Sequence, residues 1–136
     1  MIIGIDHVSM ASADLAEALR LFEQFGLRLT YTEDLPGEGV RSNQIDAGNT
    51  SIEILEALRD DAPVVKFLRN RGPGLHHICF RVGDLEATIA QMQAAGLELV
   101  DPQPREDRQG RRVFLHPRSG GGVLMGFVER HPGQVP

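Results

Sequence analysis

IDHVSMASADLAEALRLFEQFGLRLT, residues 5–30, lies over LHHICFRVGDLEATIAQMQAAGLELV, residues 75–100, without a gap at an offset of 70. Six pairs are identical: His7/His77, Asp14/Asp84, Leu15/Leu85, Gly26/Gly96, Leu27/Leu97 and Leu29/Leu99. Self-similarity at a fixed offset marks a structural unit used twice. Asp14 and Asp84 stand where helix N-caps belong, because an aspartate oxygen can accept from a first-turn amide that has no partner inside the helix. Glu17 completes a capping box in the first copy. Gly26 and Gly96 follow the helices, where a left-handed backbone favours glycine. Between cap and glycine, Leu15, Ala18, Leu19, Phe22 and Phe25 recur at helical spacing, as do Leu85, Ile89, Met92 and Ala95. Each copy therefore predicts one amphipathic helix.

The flanking segments alternate instead, which predicts strands with one apolar face and one polar face. Val8/Met10 and Ile78/Phe80 would pack on the helices, leaving His7/Ser9 and His77/Cys79 on the other face. Further strands are expected over 40–47 with 51–56 and over 112–116 with 123–129, joined by turns at 48–50 and 119–122. The expectation is an α+β fold in a single domain spanning 1–136. Two βαβββ modules, at about 3–58 and 75–130, would form a cupped, mostly antiparallel mixed sheet around a shared cavity. Residues 59–74 read as a connector with a short helix near 63–69, where Val64, Phe67 and Leu68 would dock. Two prolines, several charges and a glycine make 102–110 an expected exposed loop.

The chain has the length of one ordinary domain, 136 residues, and its 41% hydrophobic content suffices for a core. No apolar run approaches the roughly 20 residues needed to span a bilayer, and the first residues carry no basic start or cleavage site. A formal charge of -5 argues against a nucleic-acid partner. Cys79 is the sole cysteine, which fits a reducing compartment. The expectation is a cytoplasmic protein with a small-molecule substrate and neither nucleic acid nor membrane as partner.

If the repeats are related by a pseudo-twofold axis, His7 and His77 face each other across it. The last strands align too: IEILE at 52–56 matches MGFVE at 125–129 at an offset of 73, which pairs Glu53 with Gly126. Alternation puts Glu53 opposite the apolar Ile52/Ile54 face, where a buried carboxylate needs a partner. One inward histidine is ordinarily a structural residue. A symmetric pair with a carboxylate predicts a metal site of His7, Glu53 and His77 with an empty fourth corner beside Gly126. That donor set suits zinc, nickel, cobalt, manganese or iron and leaves positions for water or substrate. His76 should lie on the opposite face as a packed or surface histidine, and Cys79 should be a small filler rather than a nucleophile.

IDHVSMAS, TSIEILEAL, GPGLHHICFRV, GLELVDPQPR and GRRVFLHPRSGGGVL follow one another as in the methylmalonyl-CoA epimerases of the vicinal-oxygen-chelate superfamily, which also holds glyoxalases, bleomycin-resistance proteins and dioxygenases. The chain resembles that family over residues 3–130. The resemblance implies paired βαβββ modules, a metal held by His7, Glu53 and His77, and a homodimer. It further implies a coenzyme-A thioester substrate processed through a metal-stabilised enolate. Two positions depart from the family pattern. A glutamate normally stands in the strand after GVLI, where this chain has Gly126, and another two residues beyond the GV of the third segment, where this chain has Ser42. Epimerisation removes a proton on one face and returns it on the other, so two carboxylates naturally serve it. Ser42, Gln44 and Gly126 are expected to face substrate, and no catalytic base is assigned. Glu129, three positions from Gly126, should point outward. Arg105, Arg108, Arg111, Arg112 and Arg118 form either a phosphate-binding cluster or a solvated charged loop. His116 and Ser119 match the family segment, His116 as a stabiliser of its local turn. Beside an isomerase or glyoxalase-like lyase, the alternatives are a non-enzymatic small-molecule-sequestering protein and an iron-dependent dioxygenase.

Overall fold

A computed structural model of the chain describes residues 1–133. The elements run β1 (Ile2–Ala11), α1 (Leu15–Glu23), β2 (Leu29–Leu35), β3 (Val40–Asp46), β4 (Ser51–Ala57), α2 (Pro63–Arg71), β5 (Gly74–Val82), α3 (Leu85–Ala94), β6 (Arg105–Asp107), β7 (Gly110–Leu115) and β8 (Met125–Arg130). This is the βαβββ order twice, with α2 in the connector. The strands form one mixed sheet in the order β2-β3-β4-β1-β5-β8-β7-β6. β2, β3 and β4 pair antiparallel in turn, as do β6, β7 and β8, whereas β5 runs parallel to β8.

The repeat's punctuation works as its chemistry dictates. Asp14 accepts from the Glu17 amide and Asp84 from the Ala87 amide, which caps α1 and α3. Gly26 and Gly96 close the helices at φ 82° and 76°. The capping box differs: the Asp14 amide donates to Ser12 Oγ at 3.1 Å, so a serine upstream does the work expected of Glu17.

Two compact units divide the described residues, one of 1–7 with 77–133 and one of 8–76. In the first, Leu85, Ile89 and Met92 of α3 bury against Val113, Leu115 and Phe127 of β7 and β8. In the second, Val64 of α2 is buried with Ala11, Leu35, Val40 and Leu55, and Phe67 and Leu68 pack on this cluster as expected. The first helix falls short of its expectation. No residue of α1 is fully buried, and Phe25 is 69% exposed.

The 102–110 segment is not a plain loop. β6 pairs with β7 through Arg105↔Arg112 and Asp107↔Gly110, and Asp107 Oδ1 accepts from the Gln109 amide to tighten the turn. Residues 99–105 are the repeat counterpart of β2, but Pro102 and Pro104 lack the amides a continuous strand needs. The second module therefore splits that strand. Leu99 makes one isolated bridge to Leu115, and β6 resumes beyond the prolines. Three charged residues in a row offered no apolar period by which to see it.

Gly110 opens β7 at φ 147°, and a Cβ there would stand 2.2 Å from the Glu129 carbonyl oxygen. Gly110→Ala is expected to destabilise the fold by about 2 kcal/mol or more, as a forced backbone conformation does. Thermal or urea unfolding measures it, and an unchanged midpoint would contradict the close approach of β7 and β8.

Candidate metal centre

β1 carries His7 and β5 carries His77, both buried, with ring centroids 5.5 Å apart in an edge-on arrangement. Strand alternation puts Ser9 and Ala11 on the face of His7, all of them buried, and Cys79 on the face of His77. β4 carries Glu53, also buried. One prospective ligand atom from each of His7, Glu53 and His77 lies within 4.8 Å of the others. The three residues singled out by the repeat are thus brought together.

Glu53 is held by hydroxyls and an amide. Ser9 Oγ donates to Oε1, Ser42 Oγ donates to Oε2 at 2.5 Å, and Gln44 Nε2 donates to Oε2 at 3.1 Å and to Ser42 Oγ at 2.7 Å. The antiparallel register sets Gln44 directly opposite Glu53 and Ser42 two residues along the same face. An ionised carboxylate only accepts hydrogen bonds, so these donors suit it. Ser42 and Gln44, expected to face substrate, are committed to orienting Glu53. Ser9, whose strand parity was legible, was missed as their companion.

A second buried network backs His7. Its Nδ1 lies 2.7 Å from Asp6 Oδ2, and Arg130 of β8 grips the same carboxylate, Nε to Oδ1 at 2.8 Å and Nη2 to Oδ2 at 2.7 Å. Burial opposes ionisation of Asp6, but the hydrogen bonds from His7 and Arg130 and the guanidinium charge outweigh it and hold the carboxyl well below its usual range. Asp6, His7 and Cys79 also cluster within 4.8 Å. A guanidinium already neutralises Asp6, so this second cluster is an ion-pair network rather than a cation site. Nothing in the sequence pointed to Arg130, which lies 124 residues from its partner.

Position 126 itself is closely packed. A Cβ on Gly126 would meet Phe114 at 3.0 Å and Cys79 Sγ at 3.1 Å, and the Phe114 ring stands edge-on to His77 at 5.2 Å. An aromatic edge stands where a side chain at 126 would begin, and Cys79 is the buried filler anticipated. Glu129 does turn elsewhere, accepting from the Leu85 amide at the start of α3. His76 packs on Phe67 at 4.8 Å, and burial pushes its imidazole below the usual range against the opposing charge of Glu53.

Several arginines of the expected cluster pair with acidic neighbours. Arg111 pairs with Glu86, buried Arg112 with Asp107 and Gln109, and exposed Arg118 with Glu98. His116 Nδ1 accepts from the Arg118 amide, so it does brace its turn, and Ser119 Oγ accepts from the Glu98 amide.

Two imidazole nitrogens and a carboxylate oxygen, all buried and mutually close, fit a borderline divalent ion by donor chemistry. Residues 6–114 match the glyoxalase/bleomycin resistance protein/dioxygenase superfamily, and the chain belongs to it. Within that class it is methylmalonyl-CoA epimerase-like. It is 33% identical over 129 residues to the mitochondrial methylmalonyl-CoA epimerase of Dictyostelium discoideum, covering 93% of this chain and 78% of that one. The crystal structure of methylmalonyl-CoA epimerase from Mycobacterium tuberculosis superposes with a TM-score of 0.90 at 32% identity, covering 96% and 90% of the two chains. A methylmalonyl-CoA epimerase in complex with methylmalonyl-CoA and NH4+ superposes with a TM-score of 0.89 at 30% identity over the full length of both.

Because Phe114 and Cys79 crowd position 126, Gly126→Glu alone is expected to cost about 1–3 kcal/mol of stability, as overpacking does. Only Phe114→Ala combined with Gly126→Glu should tighten cobalt(II) binding. Unfolding and calorimetric titration of both variants check this, and wild-type stability in the single variant would mean that the corner is open after all.

Proposed function

We propose that this chain is a divalent-metal-dependent isomerase that moves the proton on the carbon next to the thioester carbonyl of a small acyl-coenzyme A. Methylmalonyl-CoA is the first substrate to test. The observation that carries this reading is the buried cluster of His7, Glu53 and His77. The solved epimerase bound to methylmalonyl-CoA supports the substrate class.

His7, Glu53 and His77 would hold the ion. A divalent ion bound there would draw electron density from a carbonyl oxygen and so acidify the neighbouring C–H. The chain's own part is to fix the donors. Ser9, Ser42 and Gln44 donate to the two oxygens of Glu53, so its role in this reading is that of an oriented ligand. Phe114 lays an apolar edge against His77, which limits water there.

One observation favours a second reading. Position 126 has no side chain, and Phe114 and Cys79 stand where one would begin, so the carboxylate that the resemblance puts there is absent and its nearest neighbours are a ring and a thiol. A protein that binds a small acyl ligand without turning it over fits those surroundings as well.

Incubation of the untagged protein with methylmalonyl-CoA in deuterated buffer distinguishes the two. The enzyme reading predicts metal-dependent deuterium incorporation at the carbon between the two carbonyls. Incorporation should be lost on chelation, regained with cobalt(II) or manganese(II), and absent in His77→Ala. Tight binding of the thioester with no exchange above background in any metal would reject the isomerase and support sequestration.

A further inference from the structure

The residue preceding the first histidine carries an inference that rests on the metal reading above. Asp6 is fully buried, and its two oxygens are bridged by Arg130 through Nε at 2.8 Å and Nη2 at 2.7 Å. Oδ2 also lies 2.7 Å from His7 Nδ1. A carboxylate only accepts and a guanidinium only donates, so the proton between Asp6 and His7 belongs to Nδ1. In a neutral imidazole that leaves the lone pair on Nε2.

We propose that Asp6, clamped by Arg130, is a positioning residue that fixes His7 as its Nδ1–H tautomer and so presents Nε2 to a divalent cation. Arg130 does two things in this arrangement. It supplies the positive charge that lets a carboxylate stay ionised inside the protein, and its two-pronged grip stops that carboxylate from rotating away from the imidazole. Carboxylate backing of this kind orients a ligand ring and raises its basicity.

At the repeat offset of 70, the counterpart of Asp6 is His76, whose ring packs on Phe67 instead. The duplication therefore repeats the histidine but not the aspartate that precedes it. His7 is set by an ion pair running from β1 to the end of β8, and the ring of His77 is flanked by that of Phe114.

The test uses the untagged, full-length, metal-free protein labelled with nitrogen-15. Long-range proton–nitrogen correlation reads each imidazole tautomer, and His7→Gln assigns the signal. Wild type should show His7 protonated at Nδ1 and bare at Nε2. Asp6→Asn should lose that preference and weaken cobalt(II) binding about 10–100-fold, the usual effect of removing such a partner. Arg130→Gln, which leaves Asp6 in place, should weaken binding in the same direction by less. An Nε2–H tautomer in wild type overturns the inference, as does a folded Asp6→Asn with unchanged tautomer and affinity. If Asp6→Asn does not fold, the wild-type tautomer and Arg130→Gln still decide. Wild-type protein that shows the Nδ1–H tautomer yet binds no cobalt would sink the metal reading while upholding the role of Asp6 toward His7.

Discussion

A carboxylate taken out of water must be compensated, and Glu53 is a buried one. Much of the site follows from that constraint. β3 and β4 are registered so that Ser42 and Gln44 reach its oxygens, and β1 brings Ser9 to the same group. Three neutral donors orient the carboxylate. A carboxylate beside two imidazoles is a donor set that suits a borderline divalent cation. On the far side of His7 the same problem recurs with Asp6, and there the chain supplies its own cation in Arg130.

The internal repeat made most of the fold legible. Capping aspartates, helix-ending glycines and alternating strands each have a local cause, and each acts within a few residues of itself. The ligand trio was legible for the same reason, since matching positions of a duplicated unit put His7 opposite His77 and strand parity set Glu53. What stayed hidden was long-range. Arg130 joins Asp6 across nearly the whole sequence, and the Phe114 ring reaches Gly126 from the neighbouring strand, so that an absent side chain did not mean open space. β6 escaped notice because it is short and wholly charged. The amide of the N-cap residue Asp14 also went to Ser12 where the spacing suggested Glu17.

The two modules have diverged where chemistry, rather than folding, is at stake. Helix caps and glycines are retained in both, whereas Glu53 faces Gly126 in the alignment, Asp6 faces His76, and β2 faces a segment broken by two prolines. Membership of the superfamily fixes the architecture; what these departures do to the reaction depends on the side chains around positions 42 and 126. Ser42 is tied to Glu53 and Gly126 is covered by Phe114, so a functional assignment has to rest on the metal cluster more than on inherited acid–base residues.

The most direct test is an anomalous difference map from crystals of the untagged protein grown with zinc or cobalt. A single strong peak is predicted about 2.0–2.2 Å from one nitrogen of His7, one nitrogen of His77 and an oxygen of Glu53, the distances such ligands adopt. A map with no peak there, or with the metal bound only at other residues, would contradict the account.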